Sequence, residues 1–191
     1  QKEGIEKLQK ANILVVGLGG VGSYAAEFIA RSGVNKMTIV DGDFFDETNK
    51  NRQLPALDST IGKSKAKVLA ARLKDINKEI DLTVLEEFLS PERAYEIISK
   101  EFNYVLDCID SITPKVNLIV AARRKKVKII SSMGAGGKLD ATKIRIKDIA
   151  NTKNCTMARV LRKRLKERKV NKGVKAVYSE EMQLSKSLKI T

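Results

Sequence analysis

Ile13-Leu14-Val15-Val16-Gly17-Leu18-Gly19-Gly20-Val21-Gly22 is the stretch from which the rest of the chain can be read. Its unbroken aliphatic block reads as a strand buried on both faces. After the glycines, Val21, Ala25, Phe28, Ile29 and Ser32 recur at helical spacing, and Gly33 supplies a helix stop. A second apolar run, Met37 to Val40, closes on Asp41, nineteen positions beyond Gly22 (41 − 22 = 19). In a strand–turn–helix–strand nucleotide site, an acid at that place takes a ribose hydroxyl. Gly17 permits the tight turn, Gly19 and Gly20 let backbone N–H groups approach a phosphate, and Gly22 lets the helix lie close to the sheet. The helix N-terminus then offers an anion free donors and partial positive charge.

Outward from that unit, Asp41-Gly42-Asp43 leads into a polar loop with Asn49, Asn51, Arg52 and Gln53, ending at Pro55. Because the loop leaves the strand whose end meets the ribose, its polar groups are expected in the crevice at the carboxyl end of the sheet. Gly62 announces a helix carrying Ala66, Leu69, Ala70, Leu73 and Ile76 on one face. Gly62-Lys63-Ser64 resembles the tail of a P-loop, but Leu57 stands where its first glycine is required, which excludes a Walker A motif. Lys63 and Lys65 oppose the dipole at this helix start, a cost that a bound phosphate would offset, and an ordinary exposed lysine is the equal alternative.

Leu82 to Leu85 reads as a strand, and Ser90-Pro91-Glu92 opens a helix with a cap, a proline and a carboxylate in the favoured order. Tyr104 to Ile109 is a strand ending at Asp110, with Asp107 embedded as a paired buried acid and Asp110 on the rim beside the glycine turn. Thr113-Pro114 starts a helix that ends in Arg123-Arg124-Lys125-Lys126. Val127 to Ser132 closes on a second glycine-rich turn, Gly134-Ala135-Gly136-Gly137. The alternation from Ala11 to Met133 predicts an α/β fold with a doubly wound, mostly parallel, Rossmann-like sheet. After Asp140, Ile144 and Ile146 alternate with basic residues as in a half-exposed strand, and Met157 to Lys172 reads as a basic helix. One domain over residues 1–191 is expected, with a nucleotide-binding core at 11–137 and a basic, substrate-facing extension at 138–191.

Against 23 Asp and Glu the chain carries 37 Lys and Arg, a formal net charge of +14, which favours a polyanionic partner. The charge concentrates at Arg123, Arg124, Lys125 and Lys126, and on the basic helix at Arg159, Arg162, Lys163, Arg164 and Lys166. That density favours nucleic acid over the alternative of a solvated basic face, and with no aromatic residue among these cations, base stacking is not expected. There is no histidine, which removes Ser-His and Cys-His dyads and every His-containing metal site. The two cysteines, Cys108 and Cys155, form no C-x-x-C pair, so a reducing compartment is expected and a structural zinc is not. No apolar run reaches membrane-spanning length and no signal-peptide core is present, so a cytoplasmic location without a membrane partner is expected.

A glycine turn of this kind points first to a dinucleotide oxidoreductase. A pyrophosphate, however, is satisfied by a helix N-terminus alone, whereas a triphosphate needs cations and usually Mg²⁺. Arg52, Lys65 and Asp110 on one rim suit the triphosphate.

The glycine run, Asp41-Gly42-Asp43, Asn49-x-Asn51-Arg52-Gln53, Gly62-x-x-Lys65 and Asp107-x-x-Asp110 together resemble the ubiquitin-activating-type superfamily of adenylating enzymes. Within it, Val105 to Ser111, Gly134 to Asp140 and the basic helix are most similar to the tRNA threonylcarbamoyladenosine dehydratases. The resemblance implies ATP-dependent activation of a carboxylate. Asp41 would hold the ribose, with Asp43 beside it; Asn49 and Arg52 would contact the phosphates, with Gln53 also at the nucleotide; Lys65 would neutralise phosphate charge; Asp110 would bind Mg²⁺; and Arg52, Lys65 and Asp110 would be the catalytic residues. It further implies a tRNA anticodon stem-loop as partner, a homodimer, an arginine upstream of the first helix and a longer C-terminal region beyond Lys189. The 191 residues are accordingly expected to lack part of a longer protein. Ring closure within the modified adenosine needs no enzyme nucleophile, so neither cysteine is required. Two other readings stay open on the sequence: an activator of a small ubiquitin-like sulfur carrier, and a non-catalytic nucleotide- or nucleic-acid-binding module.

Overall fold

In the computed structural model, which describes residues 2–182, the aliphatic block forms strand β1, Asn12–Val16, with all five residues buried. Ahead of it lies helix α1, Lys2–Gln9; after the glycine turn come α2, Gly22–Arg31, and β2, Lys36–Val40. The core continues through α3 (Lys65–Ile76), β3 (Asp81–Leu85), α4 (Pro91–Ile97), β4 (Tyr104–Asp107), α5 (Ile112–Arg124) and β5 (Ile129–Ser132). After it come β6 (Ile144–Asp148), α6 (Thr156–Glu167) and β7 (Lys175–Ser179). Among the described residues, seven strands form one sheet in the order β3-β2-β1-β4-β5-β7-β6, parallel except for β6 against β7. The doubly wound fold expected from the sequence is the observed one.

Strand alternation divides the core between two layers. Leu14 and Val16 of β1 join a cluster with Leu118 and Ile119 of α5 and Leu161 and Leu165 of α6. Ile13 and Val15 face the opposite layer, with Ala26 of α2 and Leu69 and Leu73 of α3. Both faces are thereby dry, which is why the central strands read as continuous apolar runs. The order reverses between β1 and β4, and in open α/β sheets such a reversal places the ligand crevice at the carboxyl ends of those strands.

Beyond Asp140 the structure departs from the sequence reading. The basic helix stops at Glu167, and the chain turns through Lys169 (φ 62°) and Gly173 (φ 86°) into β7. That strand lies between β5 and β6, so residues of the basic extension complete the same sheet. The last nine residues of the extension, 183–191, lie outside the described residues. Among those described, no helix is long and apolar enough to cross a membrane.

Glu27 ties the second layer together. Its carboxylate accepts from Arg72 Nε at 2.5 Å on α3 and from Arg31 Nε at 2.9 Å on its own helix. The Arg72 hydrogen bond, followed by that of Arg31, holds the carboxyl below its ordinary value near 4.5 against the opposing effect of burial. A depressed carboxylate stabilises the fold above the unfolded-state value and ceases to as pH falls through the folded one. We expect Glu27→Gln to lower Tm at neutral pH, and the gap from the parent protein to close as pH falls below the ordinary carboxylate value of 4.5 and through the lowered folded-state one. Thermal unfolding of both proteins across that range checks this.

Candidate active site

A cleft of about 630 Å³ opens at the carboxyl ends of β1, β2, β4 and β5. Its floor is the glycine turn. Gly17 adopts φ +85°, and a Cβ there would lie 2.8 Å from the carbonyl oxygen of Cys108, just past the end of β4. Gly20 packs against the backbone of Arg52, with only 3.2 Å between a notional Cβ and the Arg52 oxygen. The polar loop is thus folded back over the turn to make a wall.

Helix ends contribute the electrostatics. Val21, Ser111 and Met157 line the cleft at the starts of α2, α5 and α6. None of these three helices has a side-chain cap bond or an acidic residue in its first turn. By contrast, the serines capping α3 and α4 bond their own first turns. Uncapped N-termini leave backbone donors and positive dipole ends facing the cleft, a setting for several phosphate charges.

Asp41 is half-buried, its Oδ2 accepting from Leu18 N–H at 2.6 Å and its Oδ1 from Asp43 N–H at 2.8 Å. Each oxygen retains a lone pair for a ligand hydroxyl. Asp43 pairs with Lys65 at 2.5 Å, and the Lys65 side chain is 6% exposed. Burial works to raise the Asp43 carboxyl, but the Lys65 hydrogen bond, the Phe44 N–H and the lysine charge prevail and hold it below the usual range. Arg52 is exposed, its guanidinium held by Thr48 O and Asn51 Oδ1, both at 2.9 Å. Gln53 is buried in the cleft wall, and among the described residues its Oε1 has no hydrogen-bond partner. Such an orphaned acceptor fits a ligand that donates to it.

Asn49, expected at the nucleotide, does not line the cleft. It is buried, its Oδ1 accepting from Asp46 N–H at 3.1 Å, while its carbonyl takes the N–H groups of Arg52 and Gln53 at 3.1 and 2.9 Å. Asn49 therefore shapes the turn that presents its two neighbours. Asp110 is exposed on the opposite lip, bonded by Ser111 Oγ at 3.1 Å. Among the described residues there is no group of three or more metal-ligating side chains. One carboxylate together with phosphate oxygens is the donor set Mg²⁺ commonly uses, so the residues present fit that ion.

Not all the basic residues come together. Arg123 and Arg124 end α5, whose thirteen residues carry them about 20 Å from the cleft. Lys125 there donates to Ile98 O at 2.9 Å and stacks on Tyr95, and the Arg123 guanidinium packs on Gly173. On α6, Arg162 is turned inward onto Thr152 and Arg164 bonds Thr113 Oγ1 at 3.0 Å. Arg159, Lys163 and Lys166 stay exposed on the helix that starts at the cleft, and Lys126 is exposed at the far end.

Sequence reasoning gave no site role to Lys115, Ser131, Phe88 or Met157. The last two line the cleft, Phe88 as a largely exposed aromatic. Only the proximity of Phe88 to the end of β3 signals its place. Cys108 also lines the cleft, and burial pushes its thiol up to about 12, with the Asp107 charge adding to the effect. A thiol so protonated is a poor nucleophile, so iodoacetamide at about pH 8 is expected to leave Cys108 unmodified. Peptide mass analysis after timed exposure checks this.

The sequence profile of the ThiF family matches residues 1–182. The tRNA threonylcarbamoyladenosine dehydratase of Bacillus subtilis is 41% identical over 180 residues, covering 94% of this chain and 71% of that protein. Its counterpart in Escherichia coli is 40% identical over 187 residues, covering 94% and 70%. A crystal structure of the E. coli enzyme TcdA in complex with ATP superposes with a TM-score of 0.92 at 39% identity, covering 97% of this chain and 79% of that one.

Proposed function

The chain belongs to the ThiF family, and from that premise we propose that it is an ATP-dependent tRNA threonylcarbamoyladenosine dehydratase. What carries the reading is one cleft that unites the glycine turn with Arg52, Lys65 and Asp110, in a chain about 40% identical over nine-tenths of its length to enzymes bearing that name. The sulfur-carrier reading is weaker, because those relatives act on tRNA by name and the chain carries a large positive charge.

In this proposal an oxygen of the threonyl carboxylate attacks the α-phosphorus of ATP and pyrophosphate leaves. A nitrogen of the same substituent then closes a ring on the activated carbonyl and gives up its proton to solvent. AMP departs with the former carboxylate oxygen, which accounts for the net loss of one water. Ring closure is intramolecular, so proximity supplies much of the acceleration and the protonated Cys108 is not needed. Arg52 and the uncapped helix ends stabilise charge on the phosphates, Lys65 with Asp43 closes the wall, Asp41 holds the ribose and Gln53 Oε1 accepts a ligand hydrogen bond. Asp110 holds Mg²⁺, which when bound draws charge from the phosphates. Arg159, Lys163 and Lys166 hold the tRNA backbone beside the cleft, and the enzyme works in the cytoplasm as a homodimer.

The test is AMP release from ATP with and without tRNA carrying threonylcarbamoyladenosine, followed by mass analysis of the nucleoside. AMP formation that depends on this tRNA, with one water lost from the nucleoside, is expected. ATP binding without tRNA-dependent turnover would overturn the proposal and favour a carrier-protein substrate.

A further inference from the structure

Beneath the cleft lies an ion pair for which the proposed chemistry has no use. Asp107 at the end of β4 and Lys115 in the first turns of α5 are both wholly buried, with Lys115 Nζ 3.0 Å from Asp107 Oδ2. The same carboxylate oxygen accepts from Ser131 Oγ at 2.6 Å. A buried pair of this kind is weak evidence for stability, since well-packed apolar replacements are often as good. Its remaining bonds say what else it does. Asp107 Oδ1 accepts the N–H of Ile109 at 3.2 Å, and Lys115 Nζ donates to the carbonyl of Ile109 at 2.7 Å.

The pair therefore grips both polar groups of one residue, and that residue immediately precedes Asp110. On the other side of Ile109, the Cys108 N–H is fixed to Val16 O at 2.8 Å, and its carbonyl lies under Gly17. The lip bearing Asp110 is thus referenced to the glycine turn through a short run of backbone held from below. We propose that Lys115, through Asp107 and Ile109, is the positioning residue for Asp110, the carboxylate that would hold Mg²⁺. This rests on the reading of Asp110 as the Mg²⁺ carboxylate.

The test uses the whole chain. Lys115→Met alone leaves Asp107 buried and unpaired and is expected to be poorly folded. The informative variant is Asp107→Asn/Lys115→Met, which keeps the shapes, removes both charges and leaves the Ile109 carbonyl without its donor. It is expected to unfold cooperatively, but with backbone amides at residues 108–112 exchanging about tenfold or more faster. Its half-saturating Mg²⁺, for ATP binding and for AMP formation alike, should rise about 10- to 100-fold, the range typical when a group supporting a metal ligand is lost. ATP binding in EDTA should stay unchanged.

A folded double variant with parental amide exchange overturns the proposal. So does faster exchange with an unchanged Mg²⁺ requirement, because the pair would then be structural only. A parent protein that binds Mg²⁺-ATP but makes no AMP with tRNA defeats the dehydratase reading instead, and the Mg²⁺ dependence of ATP binding still decides the role of Lys115.

Discussion

Arg52→Ala is expected to lower kcat for AMP formation by about 10²- to 10³-fold, the usual cost of removing one preorganised donor from charge that develops in a reaction. The size follows from how the two cations of the site are held. Lys65 is buried against Asp43, so its charge is largely spent inside the protein. Among the described residues, Arg52 bonds only the neutral acceptors Thr48 O and Asn51 Oδ1 and has no carboxylate partner, which leaves a full positive charge at the cleft. Its backbone, by contrast, is fixed by the buried Asn49 carbonyl, a bond that alanine keeps. Tm should therefore stay close to that of the parent, and the loss should appear in turnover. Arg52→Lys is expected to recover only part of the rate, because an ammonium lacks the planar fork. Steady-state kinetics beside thermal unfolding decide the matter. A parental kcat for Arg52→Ala would remove this residue from the mechanism.

Legibility in the sequence followed the physics of each region. Where burial on both faces forces an unbroken apolar run, as in β1, the strand and its following turn could be placed from the residues alone. The end of the chain was harder. Strand β7 alternates, with Ala176 and Tyr178 buried and Lys175 exposed, and it follows a helix whose basic residues continue past its true end. Nothing in a count of charges marks Lys169 and Gly173 as the positions where a positive φ turns the chain back.

The same limit applied to side chains. A lysine run reads as a solvated or nucleic-acid-facing patch, yet Arg162 is bonded inward to Thr152 and Lys125 to Ile98. Charge alone does not tell which cations are already engaged. Lys115 is the sharpest case, since a lysine two residues after Thr113 carries no sign that it is wholly buried. Only the tertiary meeting of α5 with the end of β4 explains it. Asp107, by contrast, stood inside an apolar strand, and an acid there has to be paired or neutral.

Gly22→Ala is expected to abolish ATP binding and to destabilise the fold together, whereas Gly19→Ala separates the two effects. An alanine Cβ at position 22 would sit 1.7 Å from the carbonyl oxygen of Gly17 and 3.1 Å from Cys108 Cβ. The first of these is backbone and cannot swing aside, so α2 must move away from β1, and the turn between them must open. Forcing atoms into a filled site costs about 1–3 kcal/mol and occasionally more. In a domain of this size each such unit lowers Tm by about 2–4 °C. At Gly19 a Cβ would meet Gln53 Nε2 at 3.6 Å, an ordinary van der Waals contact. The Gly19→Ala protein should therefore keep its Tm, but with a methyl group standing where a phosphate must approach the backbone, its ATP affinity should fall. Calorimetric titration with ATP and thermal unfolding of both variants test this. Equal Tm for the two proteins would mean that the close contact between the helix and the turn does not set the geometry of the site.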